Sequence, residues 1–381
     1  MKELTYSNLK QLKPNSYILI DTRDSGSILY GMIPGAIHIA EQELYANLVR
    51  YAKEFDPQKD VILYCQRGVR SINLAEAFEE QGRECCSLSG GYLAYLRDTV
   101  SSDKQNSEIQ PKAENSIRRK YHKQLFTPFA KACKQYQLIR EGDHIAVCIS
   151  GGKDSMLMAK LFQEIRTHRQ VNFDLTFLVM DPGYNADNRS LIEHNARSLG
   201  IPITIFESSI FDAVDTVEKN PCYLCARMRR GYLYSKAKEL GCNKIALGHH
   251  YDDVIETILM GMLHGGQVQT MMPKLHSTNF EGMELIRPMY LIREADICKW
   301  RDYNELHFLQ CACHFTETCT TCHEDGTTSS KRLETKKLIA ELKKTNPQVE
   351  ANIFNSVSNV NLSTVIAYKE DGVKHHFLDS Y

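Results

Sequence analysis

The sequence predicts two α/β units in tandem, a small domain with a parallel sheet followed by a larger doubly wound one. Three observations predict it. Short apolar, β-branched runs of strand length alternate with stretches of helical period in both halves. The runs end in polar or chemistry-bearing residues, where doubly wound sheets bind their ligands. A segment with almost no apolar residues, "TVSSDKQNSEIQPKAENS" at 99–116, separates the halves and is read as a flexible linker. The expected organisation is therefore 1–98, linker 99–116, 117–345 and a C-terminal extension 346–381.

In the first half "YILIDTR" (17–23) and "DVILYC" (60–65) are the strand candidates. The stretch "RSINLAEAFEEQG" is read as a helix with Ile72, Ala75 and Phe78 on one face and Gly82 as its stop. In the second half "HIAVCIS", "DLTFLVMD", "PITIFE" and "KIALGHH" are the strands. Helical stretches including "KDSMLMAKLFQEIRTH" and "DNRSLIEHNARSLG" separate them.

Composition bounds the function. The chain has 381 residues, 43% hydrophobic and 24% charged, with no run of 18 apolar residues and no apolar leader in "MKELTYSNLK". A cytoplasmic protein without a membrane partner is expected. A net charge of −1 excludes a globally basic nucleic-acid binder, so any RNA surface must be a local patch. Thirteen cysteines in a reducing compartment point to metal ligands, sulfur carriers or buried apolar residues rather than disulfides.

"YCQRGVRS" places Cys65 after a strand and ahead of a helix, with Gly68 freeing the backbone and Arg67 and Arg70 adding charge. Backbone N–H groups at a helix N-terminus and guanidinium groups stabilise an anionic sulfur. A lone cysteine there could equally be a buried hydrophobe. The surrounding motifs, "IDTRDSGSILYGMIPGAIHIA", "CQRGVRS" and "LSGGYLAYL", resemble in order those of the rhodanese family across the whole first half. The resemblance implies rhodanese activity, with Cys65 as a persulfide carrier, Arg70 and the loop backbone around the outer sulfur, and Asp21 and Arg23 holding the scaffold.

"CISGGKDSM" follows a strand and opens a helix, the setting a phosphate loop requires. Gly151 and Gly152 let the backbone approach an anion; the helix dipole, Lys153 and the hydroxyls of Ser150 and Ser155 attract it. "SGGKDS" resembles the signature of the PP-loop ATP pyrophosphatases, which have the adenine nucleotide α-hydrolase-like fold and cleave ATP between its α and β phosphates. That resemblance implies that Ser150, Gly151, Gly152, Lys153, Asp154 and Ser155 hold the pyrophosphate end of ATP and Mg2+. It puts Asp181 of "VMDPGY", and Asp252 and Asp253 of "GHHYDD", near the nucleotide. Read from the residues alone, Asp181 could cap a turn and Asp252 could be a helix N-cap.

"PCYLCARMRRGYLYSKAKELG", "KIALGHHYDDVIETIL", "GGQVQTMMPKL" and "IRPMYLIREADI" together resemble the tRNA 2-thiocytidine synthetases from about 118 to 313. By that resemblance a 4Fe-4S cluster is held on three cysteines, Cys222, Cys225 and Cys311, with Cys313 the alternative third ligand. Soft thiolates in C-x-x-C suit iron and sulfur or zinc alike. Cys319 and Cys322, with Cys313, His314 or His323, are open to a zinc site or a second sulfur relay.

Arg227, Arg229 and Arg230 follow the cysteine pair, where a tRNA phosphate is expected. Residues 116–140 carry Arg118, Arg119, Lys120, Lys123, Lys131, Lys134 and Arg140 and no acid, with apolar Ile117, Tyr121, Leu125 and Phe129 every four positions. "KRLETKKLIAELKK" mixes signs and reads as a solvated helix.

The reading is an adenylating tRNA sulfurtransferase converting cytidine 32 to 2-thiocytidine. A persulfide donor such as a cysteine desulfurase charges Cys65, and the linker lets the first domain visit the cleft at high effective concentration. A homodimer is usual for the family. The rivals are thiolation of a uridine or another carbonyl, a sulfur-trafficking or redox-sensing protein that binds ATP without using it, and a zinc protein with a vestigial ATP fold.

Overall fold

The computed structural model describes residues 2–102, 108–208, 210, 221–308 and 331–381. In the first half the chain runs β1 (Lys2–Leu4), α1 (Tyr6–Leu9), β2 (Tyr17–Asp21), β3 (Ile37–His38), α2 (Glu41–Ala46), α3 (Leu48–Glu54), β4 (Asp60–Tyr64), α4 (Arg70–Glu80), β5 (Cys85–Leu88) and α5 (Gly91–Ser102). The strands form one parallel sheet in the order β1-β5-β4-β2-β3, with β4 at its centre. Period-two alternation assigns each face to its own core. Val61 and Leu63 of β4 and Ile20 of β2 join Leu44, Leu74, Ala75 and Phe78 on one side. Ile62, Tyr64 and Leu19 point to the other, into a core that continues through Tyr92, Tyr95 and Leu96 to residues of the second half.

In α4 the buried side chains are Ser71, Leu74, Ala75 and Phe78. Ile72, expected on that face, is only half-buried and Leu74 takes its place. The helix is rotated by its approach to β4 and β5, which the sequence periodicity alone did not fix.

The segment read as a linker is helical over most of its described length. After α5 ends at Ser102, α6 (Ile109–Arg118) buries Ala113, Ser116 and Ile117. Its apolar stripe is only one residue wide per turn, at Ile109, Ala113 and Ile117, and the polar residues between hide it. A π-helical turn (His122–Phe126) and α7 (Thr127–Gln135) follow, with Ile117, Tyr121, Leu125 and Phe129 all buried as the four-residue spacing predicts.

The second half continues with β6 (His144–Ile149), α8 (Lys153–Thr167), β7 (Asp174–Asp181), α9 (Ala186–Ser198), β8 (Ile203–Glu207), α10 (Pro221–Glu239) and β9 (Lys244–Ala246). After α11 (Tyr251–Gly265) come β10 (Lys274–His276), β11 (Glu284–Ile286) and α12 (Glu294–Tyr303). The six-stranded sheet has the order β10-β11-β9-β6-β7-β8, parallel except for β10. The chain moves outward from β6 through β7 to β8, then crosses back to β9 on the other flank of β6. That reversal makes the carboxyl ends of β6 and β9 the topological switch point.

Two compact units emerge: Met1–His249 with Pro273–Cys319, and His250–Met272 with Thr320–Tyr381. The first holds both sheets. In the second, α11 is accompanied by α13 (Lys331–Thr345), α14 (Val349–Ser356) and a hairpin of β12 (Ala367–Glu370) and β13 (Val373–His376). Tyr251 stacks on Phe354 at 4.4 Å, and Arg332 reaches Asp253 and Glu256 at 3.2 and 3.3 Å. Helix α13 therefore groups with the C-terminal extension rather than with the sheet. It is not fully solvated as its mixed charge suggests, because Thr335 and Ile339 are buried.

Candidate functional site

Two strand–loop–helix turns carry the chemistry-bearing residues. In the first, Cys65 leaves the central strand β4 and its Sγ accepts the Gly68 N–H at 3.2 Å and the Ser71 hydroxyl at 3.5 Å. Ser71 in turn lies 2.9 Å from the Ser87 hydroxyl. Gly68 adopts φ +83°, and a Cβ on it would sit 2.7 Å from Gly90 N and Leu88 O. The "LSGG" segment is thus folded against the sulfur loop, where Tyr92 N–H donates to Cys65 O at 2.9 Å. Donors aimed at a sulfur from a helix N-terminus stabilise its anionic forms.

The pair Asp21 and Arg23 is buried under this loop. Arg23 Nε donates to Asp21 Oδ1 at 2.9 Å and Arg23 NH2 to Gly31 O at 2.7 Å; the Tyr64 hydroxyl donates to Asp21 Oδ2 at 2.7 Å. The Arg23 guanidinium lies 3.8 Å over the Tyr92 ring. Arg70 is exposed at the first turn of α4, 3.9 Å from Glu41 Oε2.

Other cysteines differ from Cys65 in their surroundings. Burial pushes the Cys85 and Cys148 thiols up to about 12, and the Cys133 thiol rises for the same reason. They behave as buried hydrophobes.

In the second turn, β6 ends at Ile149 and α8 begins at Lys153, with Gly151 at φ +83° between them. Ser155 closes the loop: its hydroxyl accepts Ser150 N–H at 3.2 Å and donates to Gly152 O at 3.0 Å. Lys153 is 1% exposed, and its Nζ donates to Asp154 Oδ2 at 3.2 Å and Glu294 Oε1 at 3.1 Å. Gly248, just past β9, packs where a Cβ would meet Asp154 C and Ser155 N at 3.3 Å. Ser150 to Ser155 are thus assembled at the switch point as a unit.

Sequence reasoning missed Glu294, Cys298 and Gly248. Glu294 lies in "READI", read for its resemblance, Gly248 in "KIALGHH", read as a strand, and Cys298 one residue past "READI". Cys298 follows Glu294 by one turn of α12; burial raises its thiol against the opposing pull of Lys153.

The predicted acids have other engagements. Asp181, at the end of β7, accepts the N–H groups of Gly183 and Tyr184 at 2.9 and 2.7 Å and pairs with Arg189 at 3.1 Å. It caps a turn. His250, not Asp252, is the N-cap of α11, in a capping box: Asp253 Oδ2 accepts His250 N–H at 2.9 Å and Asp253 N–H donates to His250 Nδ1 at 3.4 Å. Asp252 and Asp253 therefore occupy the first turn of that helix, where the dipole favours carboxylates.

Cys222 and Cys225 both fall in the first turn and a half of α10. Cys311, Cys313, His314, Cys319, Cys322 and His323 lie outside the described residues. Among the described residues no group of three or more His, Cys, Asp and Glu side chains is placed to hold a metal ion.

In the basic stretch Arg118 pairs with Glu164 at 2.8 Å and Lys120 lies 3.7 Å over the Tyr303 ring. Arg119, Lys123, Lys131, Lys134 and Arg140 are exposed, and so is Arg230 beyond the cysteine pair. A cavity of about 940 Å³ lies at the opposite, amino end of β6 and β7. Of its charged lining, Lys160 pairs with Glu114 at 2.8 Å and Arg118 with Glu164. No described helix is long and apolar enough to cross a membrane.

Comparison with known proteins gives two family matches: a PP-loop domain over residues 118–313 and a rhodanese-like domain over residues 5–98. The chain is 32% identical over 241 residues to the tRNA-cytidine(32) 2-sulfurtransferase of Anaeromyxobacter dehalogenans strain 2CP-C, covering 62% of this chain and 79% of that one. It is 32% identical over 242 residues to the protein of that name from Geobacter sulfurreducens, covering 63% and 90%. Among solved structures, the U34-tRNA thiolase NcsA from Methanococcus maripaludis with its [4Fe-4S] cluster aligns at TM-score 0.47 and 22% identity, over 62% of this chain and 79% of that one. A rhodanese-like domain protein from Staphylococcus aureus aligns at TM-score 0.23 and 28% identity, over 25% and 91%.

Proposed function

We propose a function from one premise: the chain belongs to the PP-loop family that includes the tRNA-cytidine(32) 2-sulfurtransferases, and carries a rhodanese-like domain ahead of it. It is a tRNA sulfurtransferase whose PP-loop binds ATP. The finer reading is that it converts cytidine 32 to 2-thiocytidine through an adenylated intermediate, with sulfur arriving as a persulfide on Cys65. The observation that carries it is the pairing, within one compact unit, of a Cys65 thiol aimed at by N–H and O–H donors with a phosphate loop at a switch point.

ATP lies with its pyrophosphate end on Ser150 to Ser155. The C2 carbonyl oxygen of the cytidine attacks the α phosphorus, a P–O bond forms, and pyrophosphate leaves. Lys153 and the N-terminus of α8 stabilise the charge that develops, because their dipoles are fixed before reaction. Sulfur then adds to C2 and the C2–O bond breaks, releasing AMP. For the outer sulfur of the Cys65 persulfide to leave as hydrosulfide, two electrons must come from a thiol reductant. Exposed Arg119, Lys123, Lys131, Lys134 and Arg230 serve as phosphate contacts for the tRNA.

Two groups accompany this reading. The donor set fits both, since thiolates suit a cluster and a carboxylate suits a hard cation. Cys222, Cys225 and Cys311 would hold a 4Fe-4S cluster whose chemistry is to bind a sulfur at an open iron. Asp154 would hold Mg2+ beside the phosphates.

Nucleoside mass spectrometry on unmodified tRNA tests the reading, after anaerobic incubation with cluster-reconstituted protein, ATP, magnesium and a persulfide donor. We expect 2-thiocytidine, lost with Cys222→Ala and slowed with Cys65→Ala. Formation of 2-thiouridine instead would overturn the choice of base, and no thionucleoside at all would overturn the enzyme.

A further inference from the structure

The two halves of the first unit are joined by more than covalent continuity. His307, two residues past the last described turn of the PP-loop domain's chain reversal at Asn304 and Glu305, projects into the rhodanese-like half. Its Nε2 lies 2.6 Å from the Tyr95 hydroxyl and its Nδ1 3.5 Å from the Tyr92 hydroxyl. The imidazole meets the Tyr95 ring edge-on, centroids 5.0 Å apart at 90°. The slot it fills is made by Gly31 of the "YGMIPG" motif. A Cβ there would sit 3.0 Å from His307 Nδ1 and 2.8 Å from the Tyr92 hydroxyl, so a side chain at 31 and the imidazole exclude one another.

The contact is anchored on both sides. Asn195 Nδ2 of α9 donates to His307 O at 2.8 Å, and Arg97 Nε of α5 donates to Asp187 at 3.0 Å. The flanking Leu306 and Phe308 are buried in the core that also contains Tyr64, Tyr92 and Tyr95. Burial, helped by Arg301, pushes the His307 imidazole down to about 4, so it sits neutral between the two phenols at pH 7.

This clamp touches the sulfur loop through one residue. Tyr92 N–H donates to Cys65 O, while the Tyr92 side chain contacts Arg23, Gly31 and His307. His307 precedes Cys311 by four residues in sequence. We propose that His307 is a positioning residue, a pin that docks the rhodanese-like domain on the PP-loop domain, so that Cys65 delivers sulfur from a fixed site and not from a free tether. This rests on the sulfur relay proposed above. It differs from the expectation of a domain ranging on a linker, since α6 is helical and the two halves share a core among the described residues.

The experiment uses the full chain. Cys65 is loaded with one sulfane sulfur from thiosulfate, and sulfur appearing in tRNA is followed in a single turnover with ATP and dithiothreitol as the two-electron donor. Amide exchange of α5 reports docking in the same samples. In the wild type we expect a rate independent of protein concentration and slow exchange in α5. His307→Ala should raise α5 exchange and slow transfer roughly tenfold or more, with loading of Cys65 unchanged, since an undocked domain reaches its target only at the effective concentration of a flexible link. His307→Gln, whose amide can replace Nε2, should recover both. Tyr95→Phe removes only the hydroxyl and carries the same test if His307→Ala does not fold. Unchanged α5 exchange in His307→Ala and Tyr95→Phe overturns the pin; raised exchange with unchanged transfer overturns its role in the relay. Absence of any thionucleoside with wild type overturns the proposed function instead, while α5 exchange still decides the docking.

Discussion

The sulfur loop at Cys65–Val69 and the nucleotide loop at Ser150–Gly152 share a plan. Each leaves the carboxyl end of an inner parallel strand, turns through a glycine at φ +83°, and enters the N-terminus of a helix without a side-chain cap. They differ in what holds them. The sulfur loop is locked by backbone: Gly68, Gly90 and Gly91 approach so closely that a Cβ on Gly91 would sit 2.6 Å from Gly68 N. The nucleotide loop is held by side chains, the Ser155 hydroxyl and the Lys153 ammonium with its carboxylates. A sulfur carried covalently needs a fixed cradle. A phosphate that arrives and leaves needs partners able to exchange their contacts, and charge already paid for by neighbouring carboxylates does that.

Substitutions can break this contrast at either end. The largest effect is expected from Lys153→Ala. Removing a preorganised cation beside the developing phosphate charge costs roughly 10²–10³ in kcat. Steady-state pyrophosphate release in the presence of tRNA measures it, and a change confined to KM would mean that Lys153 only binds ATP. Next comes Gly91→Ala. At φ +55° a side chain is strained, and the added methyl meets backbone of the Cys65 loop that cannot yield. A loss of about 2–3 kcal/mol in stability is expected from such strain and overlap, read as a drop in Tm, together with slower persulfide loading of Cys65 by thiosulfate. If the Tm falls and loading is unchanged, the glycine serves the fold and not the sulfur.

How far the sequence announced these two regions follows from the range of the forces involved. Strands β4, β6 and β7 and both loops were legible because their signals are local: an apolar run, then glycine, then the reactive residue. The short strands β1, β3, β10 and β11 carry two or three residues each and exist only through their partners in the sheet. Most of helix α6 reads as linker in the sequence because its single-file stripe of Ile109, Ala113 and Ile117 is too narrow to recognise without the surface it covers. His250 takes the N-cap position for which Asp252 is the alternative candidate, because its ring nitrogen accepts the Asp253 N–H while Asp253 returns the bond. Glu294 lies 141 residues from Lys153 in sequence, and nothing local in "READI" says which cation it meets.

That distant partner gives the smallest and most discriminating test. Glu294 is half-buried beside the buried Lys153, 3.1 Å away, and stands where a phosphate oxygen could otherwise compensate the ammonium. Glu294→Gln keeps the shape and removes the charge. Without ligand, the buried ammonium loses part of its compensation, and about 1–2 kcal/mol of stability should go with it. ATP brings negative charge to the same ammonium, so its binding should recover most of that loss. The rise in Tm on adding ATP is therefore expected to be larger in Glu294→Gln than in wild type, although the ligand-free variant starts lower. A smaller rise would mean that Glu294 helps to hold the nucleotide directly, and that the side-chain lock on this loop is part of the binding site and not a placeholder for it.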